Sequence, residues 1–193
     1  MEMSSDTAKP PDYLVPPIIM PEFLKKIEAE MVGTVMVEDE EKIRFAIFLA
    51  EENVRNGGGP FGAAVFSSKS HELCAVGVNV VVPAAQSNCH AEMTAIARME
   101  ANIHSHSLKG YLLASSCEPC VMCFGGILWS GLDTLLYGAP GDMAMQTGFD
   151  EGDKVPAWQQ SLVQRNISVR GPLLTSEAEK PFLLFRQLGG KLY

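Results

Sequence analysis

His90-Ala91-Glu92 and Cys117-Glu118-Pro119-Cys120-Val121-Met122-Cys123 together offer three metal ligands and one carboxylate that need not be a ligand. Catalytic zinc is commonly held by three protein groups, with water in the fourth place. His90, Cys120 and Cys123 fill those three places for one Zn2+ per chain, and Glu92 is left free to move protons. Local geometry agrees. Ser87 or Asn88 can cap a helix over 89–102, which puts His90 in its first turn. Glu92, two residues on, is turned by roughly 200° on an ideal helix. Both side chains can still point past a helix start into one pocket. Cys120 and Cys123, at i and i+3, share a helical face. Pro119 ahead of them places both in a first turn, where the positive end of the dipole and a bound metal favour thiolates.

Two thiolates and a neutral imidazole cancel the charge of a divalent ion. The centre is then a moderate Lewis acid, able to lower the pKa of its fourth ligand, water or hydroxide, from 15.7 toward roughly 7. Glu92 takes the proton, hydroxide attacks an amidine-like ring carbon, and Glu92 passes protons to the ring nitrogen and to departing ammonia. One carboxylate serving as base and then acid is typically worth ~10²–10⁴-fold. Other readings stand beside this one. C-x-x-C alone can be a redox pair or half of a structural zinc site. A structural site needs a fourth protein ligand, which Cys117 or Cys89 would have to supply. Cys74 and Cys89 read as inert buried thiols. His71, His104 and His106 read as solvated loop residues.

The bulk properties narrow the function classes. The chain has 193 residues, 47% apolar and 20% charged, as expected of one globular domain. A net charge of −8 argues against a large phosphate-tracking surface, and so against nucleic acid as partner. No apolar run is long enough to span a membrane. The N-terminus is acidic and Pro-rich rather than basic then apolar, so no secretory signal is evident. Clustered cysteines without an export signal favour metal over disulfides and a reducing cytosol.

Working outward, residues 1–37 contain Pro10, Pro11, Pro16, Pro17 and Pro21 and read as an N-terminal arm. Within it, 14–20 is apolar enough to lie along a surface, and 21–31 can form a short helix. The domain proper is 38–193. A helix over 38–56 has Ile43, Ile47, Ala50 and Val54 at helical spacing, with Ala46 and Leu49 widening the stripe. Its acidic start, Glu38 to Glu41, suits the positive helix end. Gly57-Gly58-Gly59 lacks the Lys-Ser/Thr of a phosphate loop and reads as a tight turn. Strands follow over 59–66 and 73–82, joined as a hairpin. Then come the helix bearing His90, a strand over 109–115, a helix from Pro119 to Ser130 stopped by Gly131, and a strand over 132–137. Further on, 142–147 and 156–164 read as helical and 167–170 as a short strand. Ser176-Glu177-Ala178-Glu179 has capping-box spacing ahead of a last helix with Leu183, Leu184, Phe185 and Leu188 as its apolar face. Pro181 either begins or kinks that helix. The order implies an α/β fold, a three-layer α/β/α sandwich with a mixed five-stranded sheet.

H-x-E with P-C-x-x-C is the signature of zinc-dependent nucleobase deaminases. The chain resembles the cytidine-deaminase-like superfamily and, within it, the bacterial guanine deaminases. The resemblance spans about residues 40–190. Besides the two zinc stretches it rests on Gly58-Gly59-Pro60-Phe61-Gly62, on Asn79 and on Gly148-Phe149-Asp150-Glu151. It implies deamination of guanine at C2 to xanthine and ammonia, with ammeline as a further substrate. Cytosine, a nucleoside or a tRNA adenosine remain as alternative substrates, and a non-catalytic zinc domain as an alternative class. In the implied site Asn79 bonds the purine edge, and Phe61 and Trp129 form an apolar wall, although Phe61 equally suits the core. Backbone amides at Gly62 and Ala91 meet the carbonyl. Asp150 and Glu151 form an acidic loop, with Glu151 assisting proton transfer. The resemblance also implies a homodimer, in which exchanged C-terminal segments can bring Tyr193 over a neighbouring site. A solvated tail tyrosine is the other reading.

Overall fold

Two helices precede the first strand, α1 (Glu22–Met31) and α2 (Asp39–Arg55), in a computed structural model that describes residues 20–193. The acidic start of α2 closes on itself as a capping box, with the Glu38 N–H donating to Glu41 Oε2 at 3.1 Å. Ile43, Ala46, Ile47, Leu49, Ala50 and Val54 all face inward, as their spacing predicts. The described part of the arm packs on the domain. Leu24 of α1 is buried in the same core as α2. Residues 33–36 run beside the chain at Leu73, whose N–H and C=O bond Thr34 and Gly33 at 2.9 Å each. Residues 1–19, with most of the apolar stretch 14–20, lie outside the described residues.

Strands β1 (Gly62–Ser67) and β2 (Leu73–Val78) form the expected antiparallel hairpin. The second strand does not continue to Val82. Asn79 turns the chain by accepting the Val81 N–H on its side-chain oxygen at 3.3 Å, and Val81–Ala84 becomes a helical turn, α3. Next come α4 (Ala91–Ile103), β3 (Tyr111–Cys117), α5 (Val121–Ser130) and β4 (Thr134–Ala139). They are followed by α6 (Gly141–Thr147), α7 (Trp158–Val163) and β5 (Ser168–Arg170). The chain closes with α8 (Thr175–Ala178) and α9 (Lys180–Gln187). The sheet order is β2-β1-β3-β4-β5. β3 runs antiparallel to β1 and parallel to β4, and β5 is parallel to β4, so the sheet is mixed.

Strand periodicity sorts the core into two halves. Ala64, Phe66, Leu112, Ala114 and Leu136 meet α2, α8 and α9 on one face. Ala63, Val65, Leu113, Leu135 and Tyr137 meet α4, α5 and α7 on the other. The result is the three-layer sandwich implied by the sequence. The C-terminal helices differ from expectation. α8 starts one residue before Ser176, behind Leu174 in the left-handed region, so Ser176 is inside the helix and no side chain caps it. Pro181 sits in the first turn of α9, so it begins the helix. The face that packs inward is Phe182 and Phe185, while Leu183 and Leu188 are exposed. Among the described residues, no helix is long and apolar enough to cross a membrane.

Close approach of helix to sheet depends on two glycines. A Cβ at Gly62 would lie 2.5 Å from the Ala46 carbonyl oxygen and the Ala50 nitrogen of α2. One at Gly77 would stand 2.6 Å from Thr94 Oγ1 and against the Ala91 carbonyl of α4. Gly77→Ala is expected to cost about 1–3 kcal/mol through overpacking and to lower the midpoint of thermal unfolding by several degrees. An unchanged midpoint would show that α4 can move away from β2 freely.

Candidate active site

His90 is the N-cap of α4, with extended backbone at φ −72° and ψ 160°. Cys120 is the N-cap of α5, also extended. Neither side chain is spent on capping its helix, so both are free to project beyond the helix start. The expected caps, Ser87 and Asn88, lie too early. Residues 85–89 form a loop pinned by the Val80 N–H on the Cys89 carbonyl at 2.9 Å, and the helix begins only after His90. α4 and α5 point their N-termini at one spot beside the carboxyl end of β3.

There the ligand atoms of His90, Cys120 and Cys123 lie within 4.8 Å of one another. His90 Nδ1 is 3.4 Å from Cys120 Sγ. A zinc ion with Zn–S of about 2.3 Å and Zn–N of about 2.0 Å needs tetrahedral edges of about 3.5–3.8 Å, so the donor set fits by type and spacing. Cys117 and Cys89 are turned elsewhere. The Cys117 thiol faces the Pro140 carbonyl at 3.9 Å, and that of Cys89 faces Gln86 Oε1 at 3.6 Å. The structural-zinc reading therefore lacks its fourth protein ligand among the described residues.

Glu92 stands beside this triad, with 6% of its surface exposed. Ser115 on β3 donates its hydroxyl to Glu92 Oε1 at 3.1 Å, and Cys123 Sγ faces Oε2 at 3.4 Å. Burial, then the charge of Cys120, raises the Glu92 pKa. Glu151 comes from the loop after α6, and its carbonyl accepts the Val121 N–H at 3.0 Å. Burial, then Cys120 and Glu92, pushes its carboxyl up to about 8. The two thiols act as one pair. Hydrogen bonding from Cys123, then His90, brings Cys120 down to about 4, while Cys123 is raised by its bond to Cys120 and by burial, so Cys120 is the readier thiolate.

A cleft of about 600 Å³ opens over these groups. Phe61 and Phe149 form its apolar wall, their ring centroids 4.9 Å apart, with Phe182 behind Phe61 at 5.6 Å. Phe61 thus serves cleft and core at once. Tyr193 lies in the cleft of its own chain, its ring 6.2 Å from His90 and 5.4 Å from Phe149. Asn79 is buried behind it and donates Nδ2–H to the Tyr193 hydroxyl.

Two expected contacts are corrected. Trp129 is 78% exposed and stacks under Arg165 at 5.3 Å, outside the cleft, so it is no wall to a ligand. The Gly62 N–H is already taken by Ser116 Oγ at 3.1 Å, and Gly62 is packed under α2, so it is not free to meet a carbonyl. Ala91 is buried as the first residue of α4, where backbone N–H groups have no partner within the helix. Asp150 borders the cleft, but its carboxylate accepts the Gly152 N–H at 2.9 Å and shapes the loop.

Sequence reasoning missed Ser115, Glu118 and Lys154. Ser115 had a signal, a polar residue ending an apolar strand. Lys154 had none. Its ammonium pairs with Glu118, donates to the Pro119 carbonyl at 2.7 Å and lies 4.6 Å over the Trp158 ring. It thereby ties the Glu151 loop to the start of α5.

The ligand assignment predicts metal content. Cys120→Ser and Cys123→Ser should lose stoichiometric zinc, while Glu92→Gln should keep one zinc per chain by elemental analysis. Zinc loss from Glu92→Gln to the same degree would make Glu92 a ligand.

Comparison with known proteins agrees with this geometry. Residues 32–139 match the model of the cytidine and deoxycytidylate deaminase zinc-binding region. A guanine deaminase of Bacillus subtilis (strain 168) is 33% identical over 150 residues, covering 77% of this chain and 94% of the relative. Among solved structures, a guanine deaminase from Nitrosomonas europaea superposes with a TM-score of 0.82 at 36% identity, covering 90% of this chain and 96% of that one. The NE0047 protein in complex with 2,6-diaminopurine does so with a TM-score of 0.85 at 35% identity, over 92% and 95%. The matched region contains the His90, Cys120 and Cys123 cluster, and more than half of the chain falls within it, so the protein belongs to the cytidine and deoxycytidylate deaminase family of zinc enzymes.

Proposed function

We propose that this protein hydrolyses guanine to xanthine and ammonia in the cleft above His90, Cys120 and Cys123. The observation that carries this reading is the pairing of an apolar slot, walled by Phe61 and Phe149, with two carboxyls, Glu92 and Glu151, held beside the ligand triad. Similarity to guanine deaminases over most of the chain supports the choice of base.

Zinc bound by the triad supplies the Lewis acidity that activates water. The remaining work falls to this chain's residues. Ser115 holds Glu92 by Oε1, and Oε2, which faces Cys123 Sγ, would take the proton of the attacking water once both cysteines ligate the metal as thiolates. Burial makes the protonated form of Glu92 accessible, so it can keep that proton until the leaving group needs it. Water oxygen adds at C2, the C2–amine bond breaks, and the amine departs as ammonia after receiving protons. Glu151, with its carboxyl near neutral affinity for protons, is placed to donate to or accept from the ring. The Val81 N–H occupies Asn79 Oδ1, so Nδ2 is the atom offered to the cleft and would read an acceptor edge of the base. Tyr193 holds that donor in the free chain and would bridge to the ligand or yield to it.

We infer a homodimer as the working form. Helix α5 leaves Val121 and Trp129 exposed on its outer side, with Phe124 and Leu128 half-buried and open space beside Gly125, an apolar face suited to a second copy. Tyr193 reaches the cleft of its own chain, so C-terminal exchange is not needed to bring an aromatic there. None of the five cysteines is in a disulfide, which suits a reducing cytosol.

Zinc-loaded protein should release ammonia and xanthine from guanine. Activity on cytosine or tRNA with none on guanine or ammeline would overturn the assignment. Glu92→Gln should lower turnover by ~10²-fold or more, and Glu151→Gln should lower it with zinc retained. A fully active Glu92→Gln enzyme would remove Glu92 from the proton path. Light scattering should give about twice the 20.9 kDa chain mass, shifting toward monomer for Trp129→Glu. A monomeric wild type would refute the dimer.

A further inference from the structure

We propose that Asn53 is a positioning residue for ligand recognition, fixing Asn79 and Phe61 in register without touching the cleft itself. The proposal rests on the reading of the cleft as a guanine site. Asn53 projects from α2 and is 2% exposed. Its side-chain amide donates both N–H groups, to the Gly59 carbonyl and to the Asn79 carbonyl, each at 2.8 Å. An amide nitrogen has two hydrogens, so this donor is fully used. The two carbonyls belong to segments joined by their own bonds. The Phe61 N–H donates to Gly59 at 2.9 Å, and the Asn79 N–H donates to Phe61 at 3.3 Å. Asn53 closes that chain into a ring and anchors it to the long helix.

The triple glycine finds its reason here. A Cβ at Gly58 would run into the Asn53 side chain, and one at Gly59 would come within 3.2 Å of Asn79 Oδ1. Gly57 takes the turn itself, at φ +83°. The glycines leave room for one buried amide to bind the backbone of both ligand-facing segments. With the Asn79 backbone held by Asn53 and Oδ1 held by the Val81 N–H, Nδ2 has one direction left. Without Asn53, two buried carbonyls lose their partner and the segments can relax, so the Asn79 donor loses its aim.

A double-mutant cycle on the zinc-loaded enzyme tests this. Asn53→Ala should lower kcat/KM for guanine ~10-fold or more, mainly through KM, as one lost charge-neutral hydrogen bond implies. In an Asn79→Ala background the same change should cost several-fold less, because only its effect through Gly59 and Phe61 remains. Gly58→Ala, which displaces the Asn53 side chain, should reproduce the KM defect with zinc content unchanged. Asn53→Ser, which keeps one donor, should fall between wild type and Asn53→Ala, and it carries the cycle if the alanine variant fails to fold. Equal losses in the two backgrounds, or unchanged KM in both Gly58→Ala and Asn53→Ser, would overturn the proposal. Wild-type inactivity on guanine would instead sink the substrate reading, and the proposal with it.

Discussion

Three ligand atoms from two separate helix starts must meet within 4.8 Å, with a buried carboxylate beside them. Much of the structure follows from that requirement. A helix N-terminus is a good place to hold anionic ligands, because the positive end of the dipole and the unbonded N–H groups favour thiolate and carboxylate. α4 brings His90 and Glu92 this way, and α5 brings Cys120 and Cys123. For both helices to point at one spot, the one strand between them, β3, must carry the chain back through the sheet at a fixed place beside β1. β1 and β3 supply that frame. Ser115 near the end of β3 donates to the Glu92 carboxylate, so this carboxyl is referenced to the sheet as well as to its own helix.

Packing sets the distances. Gly77 lets α4 settle on β2 and Gly62 lets α2 settle on β1, each at a spacing that a methyl group would prevent. Because protein interiors are close-packed, such contacts transmit position with little slack. The opposite face of the sheet matters as much as the metal face. The Phe61, Phe149, Phe182 and Phe185 rings form a stack of tilted and edge-on contacts that joins the cleft wall to α9. Pairs of this kind contribute about 0.5–1.5 kcal/mol each beyond their burial. The far C-terminal helix thus stabilises the cleft wall. Lys154 plays a similar part on the other side, joining the loop of Glu151 to Glu118 and Pro119 at the entry to α5.

Polar groups near the cleft are held by a second layer of bonds, and that layer decides what they can do. Asn79 illustrates it: its carbonyl is bound by Asn53, its side-chain oxygen by the Val81 N–H, and its amide nitrogen donates to the hydroxyl of Tyr193, which lies in the cleft. An amide free to flip would offer either a donor or an acceptor. This one offers a donor.

Local chemistry was legible in the chain itself. The ligand triad, the free carboxylate, the long acidic-capped helix and the mixed sheet can all be read from residue type and spacing, because a metal constrains ligand identity and a helix constrains period. The structure departs from these expectations both at short range, where a neighbouring side chain or backbone conformation intervenes, and where distant partners decide the outcome. The strand expected to run to Val82 ends at Val78, because the Asn79 side chain captures the Val81 N–H. Ser176 does not cap, because Leu174 adopts a left-handed conformation one residue ahead of the helix. Trp129 is as apolar and aromatic as Phe61, yet one lies on the surface and the other lines the cleft; only the direction of α5 relative to the sheet separates them. The Gly62 amide is occupied by Ser116, which lies on another strand and 54 residues away. Asn53 gives no signal of its own in the sequence, since its partners are six and twenty-six residues away and are backbone carbonyls of unrelated type. The sequence by itself determined which atoms can bind zinc and move a proton, since that chemistry resides in side-chain identity. The tertiary structure alone decided which surfaces face the cleft and which donors remain free there, since both depend on hydrogen bonds and packing between segments far apart in the chain.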